Sequence, residues 1–241
     1  MENRAFNMDC MEAMRSMPDQ CFDLAVVDPP YGIGENGEKA KSRSHLAAAQ
    51  EYETFAGGDK EPPTPEFFTQ LARVSKNQII FGANHFISRL ARGPDTPCWI
   101  VWDKNNGGSD FADFEMAWTS FPGAARLFRY TWAGFRQENM KKKEIRIHPT
   151  QKPVALYAWI FQHYAKTGDR ILDTHLGSGS SRIAAWGAGL DFVGYEKHKG
   201  YFDAQEERFQ QHTAQMSLFG GGGYLITIYI FRKMKATCAW C

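Results

Sequence analysis

The sequence has no excess of charge of either sign: 28 Lys and Arg stand against 27 Asp and Glu in 241 residues, a formal net charge of +1. Total charge therefore argues neither for nor against a nucleic-acid partner, and any such argument has to be local. Also missing is an apolar run long enough to cross a bilayer, and the first residues, MENRAFNMDC, hold no apolar core of a secretion signal. No membrane partner is expected, and a cytoplasmic address follows by default. Cysteine is scarce and odd in number (Cys10, Cys21, Cys98, Cys238 and Cys241), which suits a reducing compartment better than a disulfide framework. Cys238 and Cys241 form a lone CxxC with no second pair, so no obligate metal is expected. No internal repeat is found. The composition, 43% hydrophobic and 23% charged, is that of an ordinary globular chain with a sizeable core.

The order of patterns predicts an α/β protein with a doubly wound, mostly parallel sheet. Strands are predicted at 22–27, 78–82, 98–103, 114–121, 170–173 and 192–196. Helices are predicted at 66–74, 153–165, 180–187 and 201–211. One domain over 1–219 is expected, with a mobile loop at 32–63 where the sequence is polar, Gly-rich and aperiodic. Residues 220–241 read as a glycine linker followed by a tail of unknown role.

Two loops carry chemistry. The first, Asp173-Thr-His-Leu-Gly177-Ser-Gly179-Ser-Ser181, lies between a strand and a helix. Its glycines let backbone approach a ligand, and the helix start offers unpaired N–H groups. Glu196, at the end of the next strand, stands where an acid accepts hydrogen bonds from ribose hydroxyls. A dinucleotide fingerprint would want a third glycine at Arg182, which argues against NAD. The second loop, Asp28-Pro29-Pro30-Tyr31, stops an apolar strand with two prolines that offer carbonyl acceptors and no amide donors. Acceptors of that kind suit an exocyclic base amine, whose nitrogen lone pair is freed when both its hydrogens are accepted. Tyr31 supplies a face on which an extruded base can stack. A third stretch, His148-Pro-Thr-Gln-Lys152-Pro153, precedes the helix that leads into the glycine loop. Lys152 is suited to neutralise a ligand carboxylate.

At these residues the chain resembles the β-class DNA amino-methyltransferases, in which the catalytic half precedes the cofactor half. The resemblance covers roughly residues 6–219. Met8-Asp9-Cys10 resembles the family's GDC segment, FDLAVVDPPY its catalytic motif, and HPTQKP the motif before the cofactor strand. DTHLGSGSS resembles its D-P-F-x-G-S-G-T pattern, departing from it at Thr174 and His175. The resemblance implies a methyltransferase fold with circularly permuted motif order and S-adenosylmethionine as cofactor. It implies contacts to that cofactor from Asp9, Cys10, Asp28, Lys152, Asp173, Leu176, Gly177, Ser178, Gly179, Ser180 and Glu196. Asp28, Pro29, Pro30 and Tyr31 would be catalytic. Asp in the first place of the tetrapeptide is usual for adenine N6, Ser for cytosine N4. The strands ending at Asp28 and Asp173 would be central neighbours whose loops leave one edge of the sheet.

Duplex DNA is the partner this implies, and a homodimer is compatible with it. Residues 122–147 occupy the place of a short target-recognition segment. There Arg126, Arg129, Arg136, Lys141, Lys142, Lys143 and Arg146 face only Glu138 and Glu144, an excess of five positive charges. Phe128, Tyr130, Trp132 and Phe135 are interleaved. Phosphate contact and base stacking are the expected uses. Lys39, Lys41 and Arg43 are candidates for closing over an extruded base. Small stand-alone enzymes of this kind resemble phage or prophage modification genes, within or outside a restriction-modification pair. An N4-cytosine enzyme, a silent cofactor- and DNA-binding subunit, and methylation of RNA or a protein amide are the competing readings.

Overall fold

A computed structural model describes residues 2–34, 59–91, 93, 95–107, 112–133 and 136–218, with the backbone alone at 215–218. The bulk of the predicted 32–63 loop, including Lys39, Lys41 and Arg43, lies outside the described residues, as do Phe135 and the 220–241 tail with its CxxC.

Ten strands are described: β1 (Asn3–Phe6), β2 (Phe22–Val27), β3 (Ser75–Phe81), β4 (Trp99–Asp103), β5 (Phe114–Thr119), β6 (Arg126–Arg129), β7 (Trp132–Ala133), β8 (Arg136–Gln137), β9 (Arg170–Asp173) and β10 (Asp191–Tyr195). Five helices accompany them: α1 (Cys10–Ser16), α2 (Pro65–Val74), α3 (Val154–Tyr164), α4 (Ser180–Gly187) and α5 (Lys199–Leu218). Eight strands form one sheet in the order β1-β10-β9-β2-β3-β5-β4-β6, and β7 and β8 form a separate hairpin. β5 alone runs against the rest of the large sheet, antiparallel to both β3 and β4. The fold is the expected α/β sheet.

β2 is a nearly continuous apolar run because both its faces are covered. Leu24 and Val26 enter the core under α3 and α4, while Ala25 and Val27 enter the core under α1 and α2. This is the alternation a pleated strand imposes. α2 begins with proline at its first position and buries Phe67, Phe68, Leu71 and Val74 along one stripe. Each such burial stabilises the fold by about 1.5–3 kcal/mol. α3 buries Leu156, Tyr157, Trp159, Ile160 and Phe161, more than one face of an amphipathic helix would.

The structure adds elements that periodicity did not reveal. β1 is a four-residue edge strand of alternating half-buried and exposed residues, and α1 is too short for a convincing helical period. α5 starts earlier and ends later than the expected 201–211, since no glycine or proline interrupts 201–218. The segment expected to serve DNA recognition is partly scaffold: β6 pairs with β4 and closes the large sheet. Among the described residues, no helix is long and apolar enough to cross a membrane.

Candidate active site

β2 and β9 are parallel neighbours, with Leu24 opposite Ile171 and Ala25 opposite Leu172. The chain crosses to β10 on one side of this pair and to β3 on the other, so the pair is the switch point of the sheet. Asp28 follows β2 and Asp173 ends β9. Both chemical loops therefore leave the same carboxyl edge, one strand apart.

The glycine loop turns through two left-handed residues, Gly177 (φ 51°) and Gly179 (φ 72°), where a side chain would be strained. Gly179 is the cap of α4. Asp173 braces the loop from within. Its carboxylate accepts from the Ser181 hydroxyl at 2.5 Å and from the His175 amide at 3.0 Å. Burial nonetheless pushes its pKa up to about 7. The Glu196 carboxylate accepts from the amides of Gly177 at 2.9 Å and His198 at 2.8 Å. Each oxygen keeps a lone pair for a further donor, so the residue fits a ribose diol. Asn7 donates to the Glu196 carbonyl at 2.8 Å, which brings the 7–9 segment beside it. Leu176 and the Ser178 and Ser180 side chains are buried in the turn, and the two serine hydroxyls lie 3.1 Å apart.

Two residues of the Met8-Asp9-Cys10 segment have structural work. Asp9 caps α1, accepting from the Met11 amide at 2.8 Å. The Cys10 thiol is in the core, where burial raises its pKa to about 12.

At the other loop each oxygen of the Asp28 carboxylate accepts one hydrogen bond and keeps a lone pair. Tyr31 donates to Oδ1 at 2.7 Å, and Lys152 Nζ donates to Oδ2 at 2.5 Å and to the Tyr31 hydroxyl at 3.1 Å. The ammonium also lies 3.1 Å from Glu115 Oε2, and Glu115 is paired in turn with Lys104. Burial, Lys152, and Glu115 act on Asp28 in that order, and burial leaves its pKa raised. Glu115 shares the same cation yet is held at about 2, since two lysines together outweigh its burial. Asp28 has one cation and an anionic neighbour, and the two carboxylates respond oppositely for that reason. The Lys152 pKa is raised: burial works against its charge, but Asp28 and Glu115 prevail.

The carboxylate that Lys152 neutralises is thus the protein's own. A buried ammonium, its side chain 4% exposed, needs paired anions at once. The hexapeptide 148–153 bridges the two loops. At its other end the His148 ring would stand 3.7 Å from a methyl group placed on Gly177, and burial keeps that imidazole neutral, with its pKa lowered to about 4. Tyr31 departs from its expected use as an open stacking face. A Cβ on Gly82 would come within 2.1 Å of its ring, and His85 stacks nearly parallel to it at 5.2 Å. Its hydroxyl orients Asp28.

The family model described as DNA methylase matches residues 102–207. The type II methyltransferase M.HinfI of Haemophilus influenzae is 22% identical over 87% of this chain and 68% of its own length. Over residues 102–207, a little under half of its length, the chain is similar to the N6/N4 DNA methylase family. Solved structures agree on the fold. The M1.HpyAVI–SAM complex matches with TM-score 0.53 at 21% identity, covering 85% of this chain and 98% of that one. The cytosine-N4-specific PvuII DNA methyltransferase matches with TM-score 0.55 at 12% identity, covering 90% and 93%.

The basic residues of 122–147 divide in two. Arg126, Arg129, Arg136, Lys141, Lys142 and Lys143 are exposed. Arg129 is paired with Asp103 at 2.7 Å, and Arg126 and Arg129 also charge the edge strand β6, which guards it against pairing with another chain. Arg146 is half-buried, with its guanidinium 4.4 Å above the Trp132 ring. The aromatics fail as stacking platforms where they are core: Phe128 packs on Trp159, and Trp132 is buried with its indole donating to the Gln151 carbonyl at 2.7 Å. The residues around the two loops that the sequence did not announce are Glu115, Lys104 and Arg208. Arg208 ties the Ser178 carbonyl (2.7 Å) to Glu144 (2.8 Å).

Proposed function

We propose that the chain transfers a methyl group from S-adenosylmethionine to N6 of adenine in duplex DNA, with the target base extruded from the helix. The observation that carries this is the adjacency of β2 and β9, which sets the Asp28 carboxylate and the Gly177–Gly179 turn side by side on one edge of the sheet. Gly177, Gly179, the start of α4 and the spare lone pairs of Glu196 fit the nucleoside part of the cofactor. Bound there, S-adenosylmethionine supplies an electrophilic methyl group on a sulfonium.

The rest of the chemistry belongs to the chain. Pro29 and Pro30 offer only carbonyl acceptors, so no backbone N–H of theirs competes with an amine for Asp28. Tyr31 and Lys152 fix both oxygens of Asp28 before any substrate arrives, and preorganised acceptors of this kind supply the larger part of catalysis. An amine that donates to Asp28 and a prolyl carbonyl has its lone pair released toward an electrophile. Asp28 takes the proton that the methylated nitrogen sheds. Aspartate at this place favours adenine N6 over cytosine N4, the second reading, which the likeness to the PvuII enzyme keeps in view. Lys141, Lys142 and Lys143 would contact phosphates of the duplex.

The test is transfer of labelled methyl to duplex DNA, followed by identification of the modified base. Asp28→Ala should abolish transfer, by at least about a thousandfold, while calorimetry finds cofactor binding retained. Undiminished turnover in that variant would refute the mechanism, and N4-methylcytosine as the product would refute the choice of base.

A further inference from the structure

We propose that Glu115 is a positioning residue for the reaction, acting through Lys152 to set the orientation and charge of Asp28. The inference rests on the methyltransfer reading of the site and names a residue outside all of its motifs.

Geometry carries it. Lys152 donates two hydrogen bonds, to Asp28 Oδ2 at 2.5 Å and to the Tyr31 hydroxyl at 3.1 Å, and its ammonium forms an ion pair with Glu115 Oε2 at 3.1 Å, a buried oxygen that has no hydrogen bond of its own. The partners come from two separate parts of the chain, the 28–31 turn and β5, and Nζ sits over the Phe81 ring at 4.8 Å. Its position is therefore fixed from every side. Without Glu115 the ammonium would have Asp28 as its one charged partner and would be held to Oδ2 by it alone, competing with an incoming amine for the same oxygen. With Glu115 present, the ammonium has a second anionic seat, so Asp28 can accept from the amine without stranding a buried cation.

Glu115 reaches this edge because β5 is the antiparallel strand. Its first residues, not its last, lie at the carboxyl edge of the sheet, with Glu115 opposite Trp102 of β4. Lys104, just beyond β4, pairs with Glu115 and holds it in place. Lys104 is 16% exposed and Glu115 23% exposed at the side chain, so the pair forms the outer end of a row running inward to Asp28.

The other ionisable groups acting on this row are few. Tyr31 comes from the turn itself, Tyr157 from α3, Asp173 from β9 and His148 from the hexapeptide. Both tyrosines stay neutral, their pKa values pushed well above the ordinary range by burial. His148 is held neutral by the same cause, with Lys152 adding to it. Glu115 is an anion that raises the Asp28 pKa, after burial and against Lys152.

The experiment starts from the wild-type protein transferring methyl to DNA and from loss of that transfer in Asp28→Ala, which establish the underlying reading. Failure there would refute that reading and leave nothing for Glu115 to position. Glu115→Gln then tests the proposal alone, since it keeps shape and an acceptor oxygen but loses the charge. Expected are unchanged cofactor-binding stoichiometry, KM values within about twofold, and kcat lowered at least about tenfold. The acid limb of the kcat profile should move to lower pH, because the anion that raised the Asp28 pKa is gone. Glu115→Asp restores the charge and should bring the limb back to its wild-type position. Unchanged kcat in Glu115→Gln overturns the proposal. So does a loss of rate matched by loss of binding stoichiometry with the limb unmoved. If Glu115→Gln does not fold, Glu115→Asp decides: a several-fold lower kcat with the limb in place supports positioning, and a wild-type kcat overturns it.

Discussion

Replacing Lys152 by methionine removes the one cation between two half-buried carboxylates while keeping most of the side-chain volume. Its cost can be worked from Glu115. A glutamate ordinarily near 4.5 is held at about 2 here by Lys152 and Lys104. That gap corresponds to about 3 kcal/mol of stabilisation at neutral pH, shared between the two lysines, and the variant forfeits the Lys152 share together with its pairing to Asp28. An independent expectation for breaking a buried ion pair, about 3–5 kcal/mol, agrees. For a chain of this size the loss should lower Tm by about 6–20 °C near neutral pH. The pH dependence gives the sharper check. In the wild type the depressed Glu115 pKa contributes stability that is complete above its ordinary pKa and lost as pH falls toward about 2. In the variant both Asp28 and Glu115 lack that cation and their folded pKa values rise. The variant is then penalised progressively as pH rises through those values, and spared in acid, where both groups are protonated folded or unfolded. The Tm difference should be largest near about pH 8 and shrink toward about pH 4. Thermal unfolding followed by circular dichroism across that range measures it. Methyl transfer should be lost at neutral pH and partly regained in alkali, as Asp28 ionises. A Tm difference that is constant with pH, or that grows in acid, would refute the assignment of Lys152 to this charge cluster.

Two further outcomes are expected. Gly82→Ala should destabilise the protein by at least about 1–2 kcal/mol, because φ is +67° and the new methyl would meet the Tyr31 ring at 2.1 Å. Methyl transfer should fall with it as the phenol is displaced from Asp28, and a variant with wild-type Tm and rate would remove Tyr31 from the site. Replacing Lys141, Lys142 and Lys143 together by glutamine should weaken binding to duplexes of any sequence about equally. The slope of log affinity against log salt should become shallower by roughly one for each phosphate no longer neutralised, and an unaltered slope would take these lysines off the DNA.

The strands and helices with full-length apolar patterns are legible in the sequence: 170–173 and 180–187 coincide with β9 and α4, and β2 with the apolar run before Asp28. A strand covered on both faces and a helix with an apolar stripe write their burial into residue type. Short elements do not, which is why β1, α1, β6 and the β7–β8 hairpin leave no periodic signal. The basic run at 122–147 reads as one recognition segment, but residue type cannot separate the exposed Lys141–Lys143 from Arg146, folded onto Trp132, or from Phe128, buried against Trp159.

The motifs Asp28-Pro-Pro-Tyr31, His148-Pro-Thr-Gln-Lys-Pro153 and Asp173–Ser181 by themselves determine which groups are on offer, carbonyl and carboxylate acceptors, permissive glycines and a lysine, because those are fixed by residue type. Their meeting was decided by sheet order. Only pairing of β2 with β9 puts 28 beside 173, and only the reversed direction of β5 turns Glu115 toward Lys152. Ion pairs between residues far apart in sequence depend on backbone direction and on burial, and neither is written in the identity of a glutamate or a lysine.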